Sequence, residues 1–386
     1  MGAVEYKVFF DGTAATQEQL DKIDELTVDQ AVDRAWEAKL KIPVCVNNDG
    51  KWEGEDEAWM RAYSRIRVEV NAGDGQFVPL IDGPVVGFDS ERSPQPGKSV
   101  VTVVVHDDGA LLNRRAEVKV TEGQLDSDLA SQIFTTAGFK PDVEATPAQP
   151  DPVTAASAQR GTPMQYLRDL AARNQDWHAY VLPGQKSGQP STGCFKRFPE
   201  DVDGLPEMVL LGTDRNINSF TVNNRAQNPS NVRASSLKIS DKSVVTATSS
   251  YRDATLLGDQ PPDANNPEQA ESMLPPGQSD RVDLASATRG AAATSGFSLE
   301  ATGAVVPFCY PAALSPYRWV LVRISDSKFS TKYLVTQVTH KLTRSIYTQN
   351  FQAKGNGVTV AAGGSAGAPQ PSADLGVSFN MQVSIF

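Results

Sequence analysis

The sequence predicts a β-rich α+β fold, and three features of its pattern support this class. The 386 residues include 29 glycines and 25 prolines, a composition typical of many turns and few long helices. Apolar residues alternate with a period of two in several runs, among them 42–46 and 65–70, and 99–105 is an almost unbroken β-branched run. The helical patterns are short and carry their own start signals. A chain of this length holds two or three compact domains.

The first element is predicted as an amphipathic helix over residues 27–40. Thr27 and Gln30 have the spacing of a capping box, and Leu26 is placed as a hydrophobic staple on Ala31. After it the period changes to about two, and strands are predicted at 42–46, 65–70, 77–88 and 99–105, with a short helical patch around Trp59.

The middle of the chain is predicted as a small α/β unit. A helix over 126–138 begins with carboxylates and ends at Gly138. A second helix starts at Thr162, with Pro163 in its first position and Gln165 completing a capping box, and it ends near Asn174. Residues 141–160 between the helices are interpreted as a linker arm, and 177–182 as a strand.

The last third of the chain alternates again. Strands are predicted at 209–211, 217–222, 232–239, 318–324, 332–342 and 345–353. The polar stretch that begins at Asp253 is interpreted as a mobile insertion over 253–300. A Gly/Ala/Ser/Pro tract over 361–373 leads to an alternating segment that is predicted to dock as a strand. Its apolar members are Val377, Phe379, Met381, Val383 and Ile385.

Two parts of the chain share one pattern, which indicates an internal repeat. Tyr63 is followed by a strand, a polar tip, a long strand, a turn and another strand, and Tyr317 is followed by the same succession. Any antiparallel meander produces such a pattern, so the repeat alone leaves duplication and coincidence equally open.

Three segments resemble the phage late-control protein D family and the hub portion of VgrG proteins from type VI secretion. The run 333–356 resembles their closing hairpin, a helix like 127–139 lies upstream, and a Thr-Pro helix leads to an aromatic strand as at 162–180. The matching motif residues are Tyr333, Val335, Val338, His340, Tyr347, Phe351, Thr162 and Pro163.

The resemblance implies two tail-tube-like β-barrel domains with an α/β region between them. On this basis we expect a first barrel domain over 1–122, a middle region over 123–205, a second barrel domain over 206–358 and a tail over 359–386. No spike domain follows residue 356 in this sequence, so the spike is expected to be a separate chain. The resemblance holds for phages, defective prophages and injection systems alike.

The same resemblance implies a non-enzymatic baseplate hub. A homotrimer of the duplicated domain presents six similar units to a tail tube and three to a spike. The expected partners are therefore further copies of the chain, the tail tube protein, the spike protein and other baseplate components. Assembly is expected in the bacterial cytoplasm, as part of a phage tail or contractile particle. The interfaces are predicted at two strands, represented by Arg65, Arg67, Trp319 and Val322, and the channel wall is predicted to be acidic or neutral. The alternating segment over 376–386 is predicted to dock as a strand at the spike-facing side or on a neighbouring subunit, with an edge strand of the same barrel as the alternative.

Composition argues against several other classes of protein. The formal net charge of −10 disfavours nucleic-acid recognition, and the sequence shows no apolar run long enough for membrane insertion. Three scattered cysteines, Cys45, Cys194 and Cys309, match neither a disulfide framework nor a metal site. No catalytic, metal-binding or cofactor-binding residue is predicted, and no cofactor is expected.

Two alternatives remain open at this point, a tail-associated cell-wall hydrolase and a carbohydrate-binding attachment module. A hydrolase would have to use His106, His178 or His340, or Cys309 with His340 as its base, and none of these lies in a zincin or serine-hydrolase motif. An attachment module would use exposed aromatic residues, and Trp52, Trp59 and Trp319 are the candidates.

Overall fold

The computed structural model describes residues 5–54, 57–147, 157–199, 205–225, 227–228, 230–237, 242–264, 270–274, 283–344 and 346–360. The strands are β1 (Glu5–Phe10), β2 (Thr13–Ala14), β3 (Glu25–Ala31), β4 (Glu37–Pro43), β5 (Cys45–Val46), β6 (Trp52–Glu53), β7 (Arg65–Asn71), β8 (Val78–Glu91), β9 (Val100–His106), β10 (Glu117–Thr121), β11 (Lys140–Val143), β12 (Ser157–Gly161), β13 (His178–Leu182), β14 (Thr192–Lys196), β15 (Met208–Val209), β16 (Ile217–Asn224), β17 (Asn231–Leu237), β18 (Val244–Ser250), β19 (Glu271–Met273), β20 (Leu299–Val305), β21 (Arg318–Arg323), β22 (Lys332–Leu342) and β23 (Tyr347–Gly355). The α-helices are α1 (Gln17–Asp21), α2 (Asp126–Thr136), α3 (Pro163–Arg173) and α4 (Leu284–Ser295).

One large sheet organises the molecule. Its strand order is β16-β20-β23-β22-β3-β4-β9-β8-β7-β1-β2, and β21 with β15 joins at the side of β22. The sheet contains both parts of the predicted repeat, and β3 and β22 connect them. In the part of the chain that the structure describes, these strands do not close into a barrel.

Three main hydrophobic cores form among the described residues. One lies under β1, β3, β4 and β7–β9, and a second lies under β16 and β20–β23. The third belongs to the middle region, where α2 and α3 pack on the small sheet β11-β14-β13. This middle region follows β9 along the chain.

The predicted helix over 27–40 is wrong, because this segment forms β3 and β4. The two strands pair in antiparallel register around a tight turn, in which Asp33 has a φ of 58°. Leu26, Val28, Ala38 and Leu40 are all buried by the alternation of the strands, which fits the sequence as well as the helical spacing did. The capping box that exists in this region is that of Thr16 and Gln19 at the start of α1.

The predicted mobile insertion over 253–300 contains regular structure. Its described residues include α4, which packs on β17 and β18, and the first residues of β20, a strand of the main sheet. The sequence of α4 is rich in alanine, glycine, serine and threonine and therefore resembles a linker. Small residues such as Ala287 and Ala292 instead let the helix lie close to its sheet, where both are buried.

The middle region follows the sequence more closely. Helix α3 begins with the predicted capping box, in which Thr162 accepts from the Gln165 amide and the Gln165 side chain accepts from the Thr162 amide. Its C-cap is Asn174. The predicted linker arm over 141–160 carries β11 at its start and β12 at its end, and the described part of it is otherwise without regular structure.

Candidate assembly surface

The two repeats share an unusual backbone feature at their first strand. Tyr63 and Tyr317 have left-handed φ values of 67° and 64°. The Tyr63 amide donates to the Val85 carbonyl at 2.8 Å, and the Tyr317 amide donates to the Val335 carbonyl at 3.1 Å. In each strand a β-bulge follows the valine, between Val85 and Gly87 in β8 and between Val335 and Gln337 in β22. Such a bulge bends the strand and increases its twist. A coincidental meander does not predict this agreement.

Strand register extends the correspondence across each repeat. Val85 pairs with Val105, Val105 with Ala38, and Ala38 with Val28. In the second repeat the same steps lead from Val335 through Ala353 and Ala301 to Val222. The strands β8, β9, β4 and β3 therefore correspond to β22, β23, β20 and β16.

The junction of the repeats is the pair β3–β22. His340 is buried there, with its Nδ1 2.8 Å from the Tyr347 hydroxyl and its Nε2 3.3 Å from the Gln30 side-chain oxygen. The Gln30 side-chain nitrogen donates to the Leu80 carbonyl at 2.7 Å, which ties the junction to β8. Burial lowers the pKa of His340 to about 3, so the imidazole is neutral at physiological pH.

The strands β3 and β22 pair with each other at the junction. Their counterparts in the other repeat, β16 and β8, have no partner strand at the equivalent edge among the described residues. The counterpart of β22 is β8, and its segment after the bulge pairs only with β9. The counterpart of β3 is β16, which pairs only with β20. Phe88 on β8 is 64% exposed, whereas its counterpart Val338 on β22 is fully buried. These two edges are the candidate assembly surface.

One face of the large sheet is polar across eight strands. Its described charged and polar members are Glu25, Thr27, Asp29, Glu37, Lys39, Lys41, Asp89, Glu91, Thr102, His106, Ser219, Thr221, Asn223, Glu300, Thr302, Gln337, Thr339, Lys341, Thr348, Asn350, Gln352 and Lys354. This set contains six carboxylates and four lysines, which gives a formal charge of −2. Several are paired across strands, and Glu25 bonds both Lys41 and Lys341.

The side chains predicted to lie nearest the subunit interfaces are mostly inside the chain. Arg67 is 2% exposed and pairs with Glu69 at 2.7 Å and with Asp82 at 2.9 Å. It also donates to the carbonyls of Gly184 and Gln185, which joins β7 to the middle region.

The other three predicted interface residues also have partners within the chain. Arg65 bonds Asp82 and Asp108 and keeps about a third of its side chain exposed. Trp319 and Val322 are buried in the second half of the molecule, and the Trp319 indole donates to the Pro199 carbonyl. Their strands can still lie near an interface, but the buried side chains themselves cannot contact a second chain.

The motif residues that carry the family resemblance fall into three structural groups. Tyr333, Val335, Val338 and Phe351 fill the second core. His340 and Tyr347 form the junction between the repeats, whereas Thr162 and Pro163 start α3. The five apolar residues of the predicted docking segment, Val377 to Ile385, lie outside the described residues.

The three histidines considered for a hydrolase each have a structural partner. His106 lies 3.2 Å from Glu37 at one end of β9, and His178 lies 3.0 Å from Asp33. His340 belongs to the junction. Among the residues that the structure describes, no three His, Cys, Asp or Glu side chains come together as a metal site. None of the described helices has the length and apolar character needed to cross a lipid bilayer.

The aromatic residues considered for carbohydrate binding are mostly covered. Trp59 is buried and stacks on Phe10 with ring centroids 4.3 Å apart, and Trp319 is buried as described above. Trp52 is half-buried beneath the guanidinium of Arg92, 4.5 Å from its ring centroid.

Sequence reasoning missed one buried carboxyl at the joint between sheet and middle region. Asp107 accepts hydrogen bonds from the amides of Trp36, at 2.6 Å, and Gly109, at 2.8 Å. Burial raises its pKa to about 7. The local pattern His106-Asp107-Asp108 indicated only a turn, and the partner that could have revealed its role, Trp36, is far away in sequence.

Comparison with known proteins gives matches in structure alone. No family model matches the chain, and no curated protein matches it in sequence. The 43 kDa tail protein of prophage MuSo2 from Shewanella oneidensis matches with a TM-score of 0.62 and 13% identity, over 91% of this chain and 98% of that one. A tail protein from Neisseria meningitidis MC58 matches with a TM-score of 0.62 and 13% identity, over 93% and 98%.

A type VI secretion component of E. coli, c3393, matches with a TM-score of 0.52 and 10% identity, over 92% of this chain and 76% of that one. Its structure is described as similar to bacteriophage T4 tail proteins. At these identities the likeness concerns the fold. The chain therefore shares its fold with these phage tail and type VI secretion proteins, the same group of proteins to which the sequence motifs point.

Proposed function

We propose that this chain is the structural, non-enzymatic hub of a contractile-tail or injection-system baseplate, and that it works as a homotrimeric ring between tail tube and spike. The observation that carries the proposal is the β3–β22 junction together with the open edges of its counterparts. Within the chain β3 pairs with β22, and the counterparts of these strands are β16 and β8. The open edge of β16 in one copy would therefore pair with the open edge of β8 in the next copy in the same way. Head-to-tail contacts of this kind close into rings when the rotation permits.

The internal junction also sets the register of the contact between copies. Within the chain His340 pairs with Val28 and Thr339 with Asp29. Transferred to the counterparts, Ser90 pairs with Val222 of the next copy and Asp89 with Asn223. The same register aligns Gly87 with Arg225, whose charge then lies diagonally across from Asp89.

The two ends of the sheet differ in a way that suits a tube on one side and a spike on the other. At one end both repeats have a plain connection, at 92–99 and at 343–346. At the opposite end the first repeat has the tight turn 32–36, whereas the second has the unit 225–298. The middle region also leaves the first repeat there. In a trimer, six similar connections would face the hexameric tube and three large units would face the spike.

The polar face is the expected wall of the channel in this assembly. Its hydroxyl, amide and internally paired charged groups carry little net charge, which supports the predicted acidic or neutral wall. In this proposal the two predicted barrels arise when the sheets of three chains join. The partners would be the tail tube protein, the spike protein and other baseplate components, assembled in the bacterial cytoplasm without sequence-specific nucleic-acid recognition or membrane insertion.

A cysteine pair tests the contact and its register. In a background with Cys45→Ser, which removes an exposed thiol, the double variant Ser90→Cys/Val222→Cys is expected to form disulfides between chains, with covalent trimers as the largest closed product. The matched control Asp89→Cys/Val222→Cys places the thiols on opposite faces of the joined sheet and should not cross-link.

Mass measurement of the uncross-linked protein tests the stoichiometry. Three chains of 41.5 kDa give a trimer of about 125 kDa. A monomer at micromolar concentration in the presence of the spike protein, or equal cross-linking of the two cysteine pairs, would contradict the proposal.

A further inference from the structure

The unit over residues 225–298 has a sheet that is covered on one face and open at one edge. In it β18-β17-β19 form a three-stranded sheet, and α4 lies over β17 and β18 rather than over β19. Ser249 and Thr288 join strand and helix through their hydroxyls at 3.0 Å. A helix is usually centred on its sheet, and here one more strand beside β18 would place α4 over the middle.

The outer edge of β18 lacks the features that normally protect such an edge. Its seven residues, Val244–Ser250, contain no charge and no proline, and they are rich in valine and threonine. No strand pairs with this edge among the described residues. Val244 is 69% exposed, and Leu237, directly opposite it on β17, is 58% exposed. An uncharged, β-branched open edge readily accepts a further strand.

The described chain ends beside this same unit. Val358 forms an antiparallel bridge with Gln260, and the Val360 amide donates to the Asp259 carboxylate at 2.9 Å. Asp259 and Gln260 follow β18 closely in sequence. The next residues, 361–376, have the composition of a Gly-rich linker, for which a root-mean-square span of about 20 Å is expected.

We propose that residues 377–385 add to β18 of their own chain as an edge strand, with the apolar row Phe379, Met381 and Val383 on the side that α4 covers. The nine residues 377–385 are long enough to span the seven residues of β18, and they alternate between apolar and polar. An apolar row on that side would pack against the small side chains of α4. The inference goes beyond the hub function and does not depend on it, because the contact lies within one chain.

Hydrogen exchange measured on the full chain tests the contact. We compare the native chain, a chain that ends at residue 376, and the variant Phe379→Asp/Val383→Asp. The amides of β18 are expected to exchange about tenfold faster in the latter two, since their outer partners are lost. The matched control Ser378→Asp/Ser384→Asp adds the same charge on the polar row and should keep the native exchange rate.

Three results would overturn the inference, and each is distinct from failure of the hub function. Equal β18 exchange in all four proteins would show that the tail does not bind there. An effect confined to β8 or β16 would place the tail on those edges. Loss of β18 protection on dilution to monomer would place the tail on a neighbouring copy. The mass of each sample, recorded in parallel, reports trimer formation separately.

Discussion

The buried His340 makes the junction between the repeats sensitive to acid, and His340→Gln tests this. In the unfolded chain the imidazole has a pKa near 6.5, whereas burial lowers it to about 3 in the folded protein. Between these values the unfolded state binds more protons, so the free energy of unfolding falls as pH falls from about 6.5 towards 3. From pH 6.5 to 4.5 this single group lowers stability by about 2 kcal/mol.

The measurement is urea unfolding of the native chain and the variant at several pH values. Carboxyl groups such as Asp107 titrate in both proteins and cancel in the difference. The stability advantage of the native chain is therefore expected to shrink by about 2 kcal/mol between pH 6.5 and 4.5. Tyr347→Phe serves as a control, because it removes the hydroxyl bonded to Nδ1 but keeps the buried imidazole and its pH dependence. A difference between native chain and His340→Gln that does not change with pH would refute the reasoning.

Two further predictions concern packing and buried charge. Gly83→Ala should destabilise the fold by at least about 1–3 kcal/mol, because the added Cβ would lie 2.0 Å from the His106 carbonyl oxygen. At Gly87 an added Cβ meets open space, so Gly87→Ala should change stability by less than about 0.5 kcal/mol. Equal thermal midpoints for the two variants would contradict this. Arg67→Ala should cost about 3–5 kcal/mol, because Asp82 and Glu69 are left as buried carboxylates with a lost partner. Arg323→Ala removes an exposed pair with Glu207 and should cost less than about 1 kcal/mol in chemical unfolding. A small effect of Arg67→Ala would show that the cluster is hydrated.

The repeat could be predicted from the sequence because its signals are local. Tyr63 and Tyr317 each precede an alternating run, and the succession of strand, turn and strand is visible without any partner. The capping box at Thr162 was predicted for the same reason, since both of its members lie within one helical turn. The register that joins the strands is not local and required the structure.

Two features that the sequence did not reveal share a physical cause, which is that a distant partner decides the outcome. Residues 27–40 fit a helical spacing and a strand alternation equally well, and pairing of β3 with β22, far away in sequence, selects the strand. Arg67 was predicted near a subunit interface through its place on a strand, and its burial depends on the Asp82 carboxylate and on two carbonyls of the middle region, which accept its hydrogen bonds. Neither set of partners can be read from the neighbouring sequence.

The unit over 225–298 also has a consequence for how the chain folds. Asn224 and Leu299 are directly paired at the end of the β16–β20 hairpin, so the unit begins and ends at neighbouring points of the sheet. The connection 225–298 that closes this hairpin is far longer than the connection 32–36 that closes β3–β4. The ratio of the two loop lengths is close to four doublings, so closing the longer loop costs about 2.4 kcal/mol more in chain entropy.

That entropy cost disappears if the unit folds first. The Arg225 amide donates to the Ser298 carbonyl at 2.9 Å, so the folded unit itself holds the two strand ends together. The unit over 225–298 then nucleates the second half of the large sheet, although it contributes no strand to that sheet. Slow folding of the unit would delay the formation of every strand pair that involves β16.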